Sequence, residues 1–168
     1  MKNIVLIGMP GAGKSTVGVV LAKSLGFAFL DSDLLIQDKY KKLLHEIIEE
    51  RGIEGFWQVE NEVNAGIETE NAVIATGGSV IYEAEAMEHL KEIGTVVYLK
   101  LSCEELAVRL GDLNERGVTL KPGQDLNGLY EERIPYYEKY ADVTIECDEK
   151  LIRDIVAEIK AQAKANVE

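Results

Sequence analysis

Near its start the chain runs Asn3-Ile4-Val5-Leu6-Ile7-Gly8-Met9-Pro10-Gly11-Ala12-Gly13-Lys14-Ser15-Thr16, an apolar run followed by a glycine-rich turn. The run, NIVLI, is continuous, as a strand buried on both faces requires. Ser15–Leu25 then reads as a helix, with Val17, Val20, Leu21 and Leu25 on one face and Gly26 as its stop. Gly8 through Ser15 match the pattern G-x-x-x-x-G-K-[ST] in full. Gly8, Gly11 and Gly13 permit torsions closed to other residues and let the backbone approach an anion. The amides of Gly11, Ala12 and Gly13 and of the following helix start would face the phosphates. Lys14 would neutralise the β- and γ-phosphates, Ser15 would hold magnesium, and Thr16 would add an α-phosphate contact. A chance glycine turn would need neither the strand before it nor the helix after it.

Beyond this helix, Phe27–Leu30 reads as a second strand ending at Asp31-Ser32-Asp33, and Leu34–Arg51 as two short helices. Gly55–Thr69 is another helix, with Phe56, Val59, Val63 and Ile67 at core spacing. Ala72–Ala75 is a third strand running into Thr76-Gly77-Gly78. Ala84–Glu92 is helical and stops at Gly94; Thr95–Leu101 is a strand and Glu104–Leu110 a helix. Gly111–Gln124 reads as a mobile loop. Leu126–Tyr140 is helical, Asp142–Glu146 a fifth strand and Lys150–Lys164 a closing helix. Five strands alternating with helices predict an α/β fold: a parallel sheet covered on both sides, in three layers. The 168 residues suit one domain over 1–168.

Bulk composition narrows the function classes. A net charge of -12 and a pI near 4.7 exclude the basic surface that nucleic acid needs. No run reaches membrane-spanning length, and the N-terminus carries no leader pattern, so a cytoplasmic protein is expected. Cys103 and Cys147 lie far apart and read as buried small hydrophobes. His45 and His89 read as surface or satisfied histidines rather than ligands. With no exposed apolar stripe evident, a monomer is expected.

The motif leaves several classes open. A GTPase would carry Asn-Lys-x-Asp, which is absent. A motor ATPase or helicase would close a hydrophobic strand with aspartate, whereas Thr95–Leu101 ends in Lys100-Leu101. Five arginines, at 51, 109, 116, 133 and 153, are few for a nucleotide monophosphate kinase. A small acceptor with little charge fits better.

The order of motifs resembles the shikimate kinases, over nearly the whole chain. The matching segments are Gly8–Thr16, Asp31-Ser32-Asp33, Phe56 through Glu60, Gly77-Gly78, Arg109 with Arg116, and Glu132-Arg133-Ile134-Pro135-Tyr136-Tyr137. The resemblance implies a P-loop fold with a lid at about residues 111–124, and ATP and Mg2+ as cofactors. It also implies transfer of the γ-phosphate to a small carboxylated acceptor, shikimate first. By the same resemblance Asp31 helps hold magnesium, Asp33 binds the acceptor hydroxyls, and Gly77 and Gly78 approach the acceptor with their backbone. Arg116 reaches the phosphates, Arg109 flanks the adenine and Arg133 pairs with the acceptor carboxylate. Two simpler structural roles stand beside these: Asp31 as a helix N-cap, and Arg133 in a surface ion pair with Glu131 or Glu132.

The departures cluster at the acceptor. Trp57 stands where the family has a carboxylate-binding arginine, Ser79 replaces a third glycine, and the lid reads Arg116-Gly117-Val118-Thr119-Leu120. Either Arg133 carries the carboxylate alone, or Arg51 swings in, or the substrate differs. Glu54, Trp57 and Glu60 recur at helical spacing, so an amino alcohol such as homoserine, its ammonium near Trp57, is an alternative to Trp57 as a packing residue. A gluconate-like acceptor and a non-catalytic nucleotide-binding role are the remaining alternatives.

Overall fold

The computed structural model describes residues 3–110 and 121–165. It contains five parallel strands and seven α-helices among the described residues. The strands are β1 (Asn3–Ile7), β2 (Ala28–Asp31), β3 (Ala72–Ala75), β4 (Gly94–Lys100) and β5 (Val143–Glu146), in the order β2-β3-β1-β4-β5. The helices are α1 (Lys14–Leu25), α2 (Ser32–Tyr40), α3 (Leu44–Ala65), α4 (Ala84–Ile93), α5 (Cys103–Leu110), α6 (Leu126–Tyr140) and α7 (Ile152–Ala165). The strand order reverses at β1, which pairs with β3 on one side and β4 on the other. In open parallel sheets ligands settle beyond the carboxyl ends of the strands at such a reversal. The glycine-rich turn, Asp31 and the Thr76-Gly77-Gly78 turn all lie there.

β1 is buried at every residue. Asn3 is its one polar member, and its side chain donates to Thr69 O and Ile93 O and accepts from the Ala72 amide, tying three segments together. α1 buries Val17 and Leu21 and packs Leu25 on the core, as expected, but Val20 is exposed and Gly18 and Ala22 are buried in its stead. Gly18 explains the exchange: a Cβ there would stand 2.6 Å from the Phe29 ring, so the helix lies close on the sheet at this point.

The segment after β2 departs from its reading in one respect. The expected helix ending at Arg51 and the one starting at Gly55 join into α3, bent at Gly52 (φ 76, ψ 176), a conformation that glycine alone adopts readily. The bend turns the second half of α3 so that Phe56, Val59, Glu60 and Asn64 face inward. The helix ends at Ala65 rather than Thr69, where the Gly66 amide bonds back to Glu62 O and Val63 O. Cys147 is buried, but Cys103 is only partly so. His45 is exposed, and His89 Nε2 lies 2.7 Å from Ile67 O, a satisfied histidine.

Candidate active site

The first turn of α1 has neither a side-chain cap nor an acidic residue, and Gly13 precedes it with φ 89. The amides that a serine or aspartate would normally occupy are thus left to an anion. Lys14 is buried, and its Nζ donates to Gly8 O at 2.7 Å and Met9 O at 2.8 Å. Burial lowers its pKa to about 8, against the pull of Asp33. A phosphate beside Lys14 would restore the charge. Arg109 lies on the outer rim of the same loop, with Nη1 3.5 Å from Gly11 O and Nε 3.2 Å from Glu105.

Ser15 Oγ donates to Asp31 Oδ2 at 2.9 Å, while Asp31 Oδ1 accepts from the Asp33 amide at 3.0 Å. Asp31 is therefore the N-cap of α2 and the partner of the P-loop serine at once. A hydroxyl and a carboxylate side by side are hard oxygen donors of the kind that Mg2+ takes together with phosphate oxygens and water. The chemistry of this pair fits a magnesium-bound triphosphate. Among the described residues no cluster of three or more His, Cys, Asp or Glu is suited to a metal without such help.

A cavity of about 390 Å³ opens beside the loop. Its far wall comes from α2, α3, α6 and the turn after β3. Thr76 fixes that turn to β1, bonding Leu6 O through its amide and its hydroxyl. Tyr137 Oη holds it from the other side through Gly78 O at 2.6 Å. A Cβ on Gly77 would meet Glu60 Oε2 at 2.5 Å and Asp33 Oδ1 at 2.8 Å; one on Gly78 would meet Arg133 Nη1 at 2.9 Å. The two glycines are required by close approach.

Asp33 faces this cavity, and its Oδ1 is buried without a hydrogen-bond partner. Burial, with Asp31 nearby, raises its pKa to about 6. Arg133 is 1 % exposed and sits in the cavity wall, with Nε 3.3 Å from Tyr82 Oη. Its place on α6 follows from spacing: Leu129, Arg133 and Tyr137 repeat every four residues on the buried face. The surface ion pair considered for Arg133 is not what forms, since Glu132 pairs with Lys121 and with Tyr82 instead.

Trp57 does not line the cavity. It stacks on Tyr82 with ring centroids 4.3 Å apart, one ring removed from Arg133. The three residues expected at helical spacing also separate, because Glu54 is exposed whereas Glu60 points inward. Arg51 is exposed and lies over the Tyr40 ring, away from the cavity lining. Arg116 lies outside the described residues, as does the expected lid apart from residues 121–124.

Glu60 and Ser79 enter the site more deeply than sequence reasoning placed them. Glu60 is 2 % exposed, its Oε1 accepts from Ser79 Oγ at 2.6 Å, and burial raises its pKa to about 8. The bend at Gly52 was the missing signal, since it decides which face of α3 turns inward.

Comparison with known proteins agrees with this geometry. A model of the shikimate kinase family matches residues 10–164. A shikimate kinase of Parabacteroides distasonis is 39% identical, covering 95% of each chain. The solved structure of a shikimate kinase from Acinetobacter baumannii in complex with shikimate superposes with a TM-score of 0.88 at 37% identity, covering 99% of this chain and 94% of that one. A gluconokinase from Sinorhizobium meliloti has a TM-score of 0.58 at 17% identity over 99% and 95% of the two chains, a likeness of fold alone.

Proposed function

The chain belongs to the shikimate kinase family, and from that premise we propose that it transfers the γ-phosphate of ATP to a hydroxyl of shikimate, giving shikimate 3-phosphate and ADP. The observation that carries the reading is one cavity with two unlike ends. At one end stand uncapped amides and Lys14; at the other stand Asp33 and the buried guanidinium of Arg133. The acceptor carboxylate binds Arg133, and the backbone of Gly77 and Gly78 closes on the ring. Asp33 orients the reacting hydroxyl. As that oxygen bonds to the γ-phosphorus and the bond to the bridging oxygen of ADP breaks, the hydroxyl proton passes to the Asp33 carboxylate. The raised pKa of about 6 suits a group that is ionised at neutral pH yet able to take a proton. Ser15 and Asp31 would hold magnesium, which would supply positive charge to the phosphate oxygens. Arg116 adds a charge from the lid, and Arg109 flanks the adenine.

A neutral polyol acceptor would have no use for Arg133, and a non-catalytic nucleotide binder would have none for Asp33. The reading also has the chain acting as a monomer in the cytoplasm. Exposed large apolar side chains such as Val19, Leu34 and Val108 lie on separate helices, and no described helix is long and apolar enough to cross a membrane. ADP release tests the reaction: it should require shikimate as well as ATP and magnesium. Arg133→Lys should raise the shikimate KM roughly ten- to hundred-fold, since a bidentate charged contact is lost. Release at one rate with or without shikimate would refute the reading.

A further inference from the structure

We propose that Tyr82 is a positioning residue for the acceptor: braced by Trp57 and bonded to Glu132, it holds the Arg133 guanidinium in the orientation that receives the acceptor carboxylate. The proposal rests on the phosphotransfer reading above and deepens it, naming the side chain that sets acceptor affinity from outside the cavity.

Lys14 and Arg133 are the basic residues of the described cavity lining, and Lys14 is turned to the loop carbonyls of Gly8 and Met9. The acceptor end therefore depends on how Arg133 is held. Arginine carries its fork on a long flexible stem, and a carboxylate gains most from both arms when their plane is already fixed. Tyr82 touches this side chain twice. Its Oη accepts from Arg133 Nε at 3.3 Å, and its ring centroid lies 5.4 Å from Arg133 Cζ. A bond at Nε fixes the plane from the stem side, so the carboxylate is received at the Nη end. Nη1 lies beside Gly78, another residue of the lining.

Tyr82 is itself held on several sides. Trp57 stacks on its ring with centroids 4.3 Å apart and planes 20° from parallel, and Tyr136 meets it tilted, at 5.6 Å. Its hydroxyl donates to Glu132 Oε2, and Glu132 Oε1 accepts from Lys121 Nζ at 2.5 Å. Burial, with the bond to Glu132, pushes the phenol pKa up to about 12, so the proton stays on Oη. The donors then run one way, from Arg133 through Tyr82 to Glu132, and each bond polarises the next. Glu132 and Arg133 are consecutive on α6, so their side chains diverge around the helix. Tyr82 joins them from the short turn Val80–Tyr82, just beyond Gly77-Gly78. Trp57 thus acts on the acceptor through Tyr82 without lining the cavity.

Steady-state kinetics with ATP, magnesium and shikimate test this on single variants. Tyr82→Phe keeps the ring and its stack and removes the hydroxyl. Its KM for shikimate should rise about three- to tenfold, the worth of one hydrogen bond, with kcat within about twofold of wild type. Trp57→Ala removes the brace and should raise the KM in the same way, whereas Trp57→Phe, which can still stack, should restore a KM near that of wild type. Tyr82→Phe and Trp57→Ala decide independently, so either suffices if the other fails to fold. An unchanged KM in either folded variant, or a kcat that falls as far as kcat/KM, would overturn the inference, while shikimate turnover by the wild type would uphold the kinase reading. A wild type that turns over no shikimate would overturn both.

Discussion

Asp33 sits between two demands, a buried carboxylate with one oxygen unpartnered and a neighbouring carboxylate at Asp31. Asn keeps the shape and removes the proton acceptor. Asp33→Asn should lower kcat by about 10²–10⁴-fold with little change in the KM for ATP, as steady-state kinetics would show. Glu60 gives a prediction about stability in the absence of ligand. Its ordinary pKa is 4.5 and its folded value about 8, so between those values the folded state holds a proton that the unfolded state has lost. Stability therefore falls as pH rises through that window. Asp33 acts in the same direction over a narrower window, from 3.8 to about 6. Lys14 acts in the opposite direction, because its folded pKa of about 8 lies below the ordinary 10.5 and stability returns as pH rises between them. The ligand-free protein should show a minimum of stability near pH 8. Glu60→Gln should flatten the descent toward that minimum in melting curves taken from pH 5 upward, and an unchanged slope would contradict the assignment. Of these residues, Lys14, Ser15 and Asp33 were legible in the sequence because their motifs are local. Glu60 was seen in its motif, but its burial depends on contacts with Ser79, 19 residues away, which no spacing encodes.

The turn after β3 carries the acceptor side as an element. Thr76 and Tyr137 fix its backbone, and Gly78 lies in contact with both Pro10 and Arg133. Gly78→Ala would place a methyl 2.8 Å from Pro10 Cδ and 2.9 Å from Arg133 Nη1, so something must shift. Its KM for shikimate should rise about tenfold or more, because the displaced guanidinium is the one proposed to hold the acceptor carboxylate. Unaltered kinetics would show that the turn does not position Arg133. Strand runs and most helix ends were readable at this scale, since apolar runs, Gly26 and Pro-free periodicity are written locally. The bend within α3 was not, because Gly52 gives no sign of whether it ends a helix or turns one. On α1 the exposure of Val20 was likewise not legible, because Gly18 lets Phe29 pack where a side chain would stand.

The whole molecule brings distant motifs together through its strand order. With β1 between β3 and β4, and β3 next to β2, the carboxyl ends of β1, β2 and β3 deliver the phosphate loop, Asp31 with Asp33, and the Gly77-Gly78 turn to one crevice. The alternation of strands and helices foretold a parallel sheet, and the family resemblance supplied the P-loop topology; the order of strands is not written in any single segment. In the proposed reaction this crevice holds triphosphate and acceptor side by side for direct transfer. The most direct measurement is 31P NMR of ATP, magnesium and shikimate with catalytic amounts of the protein. The γ-phosphate resonance should decline as a phosphomonoester resonance on shikimate grows in equal measure, and Lys14→Ala should abolish both changes. ATP persisting unchanged, or yielding only inorganic phosphate, with the folded wild-type protein would contradict direct transfer to shikimate.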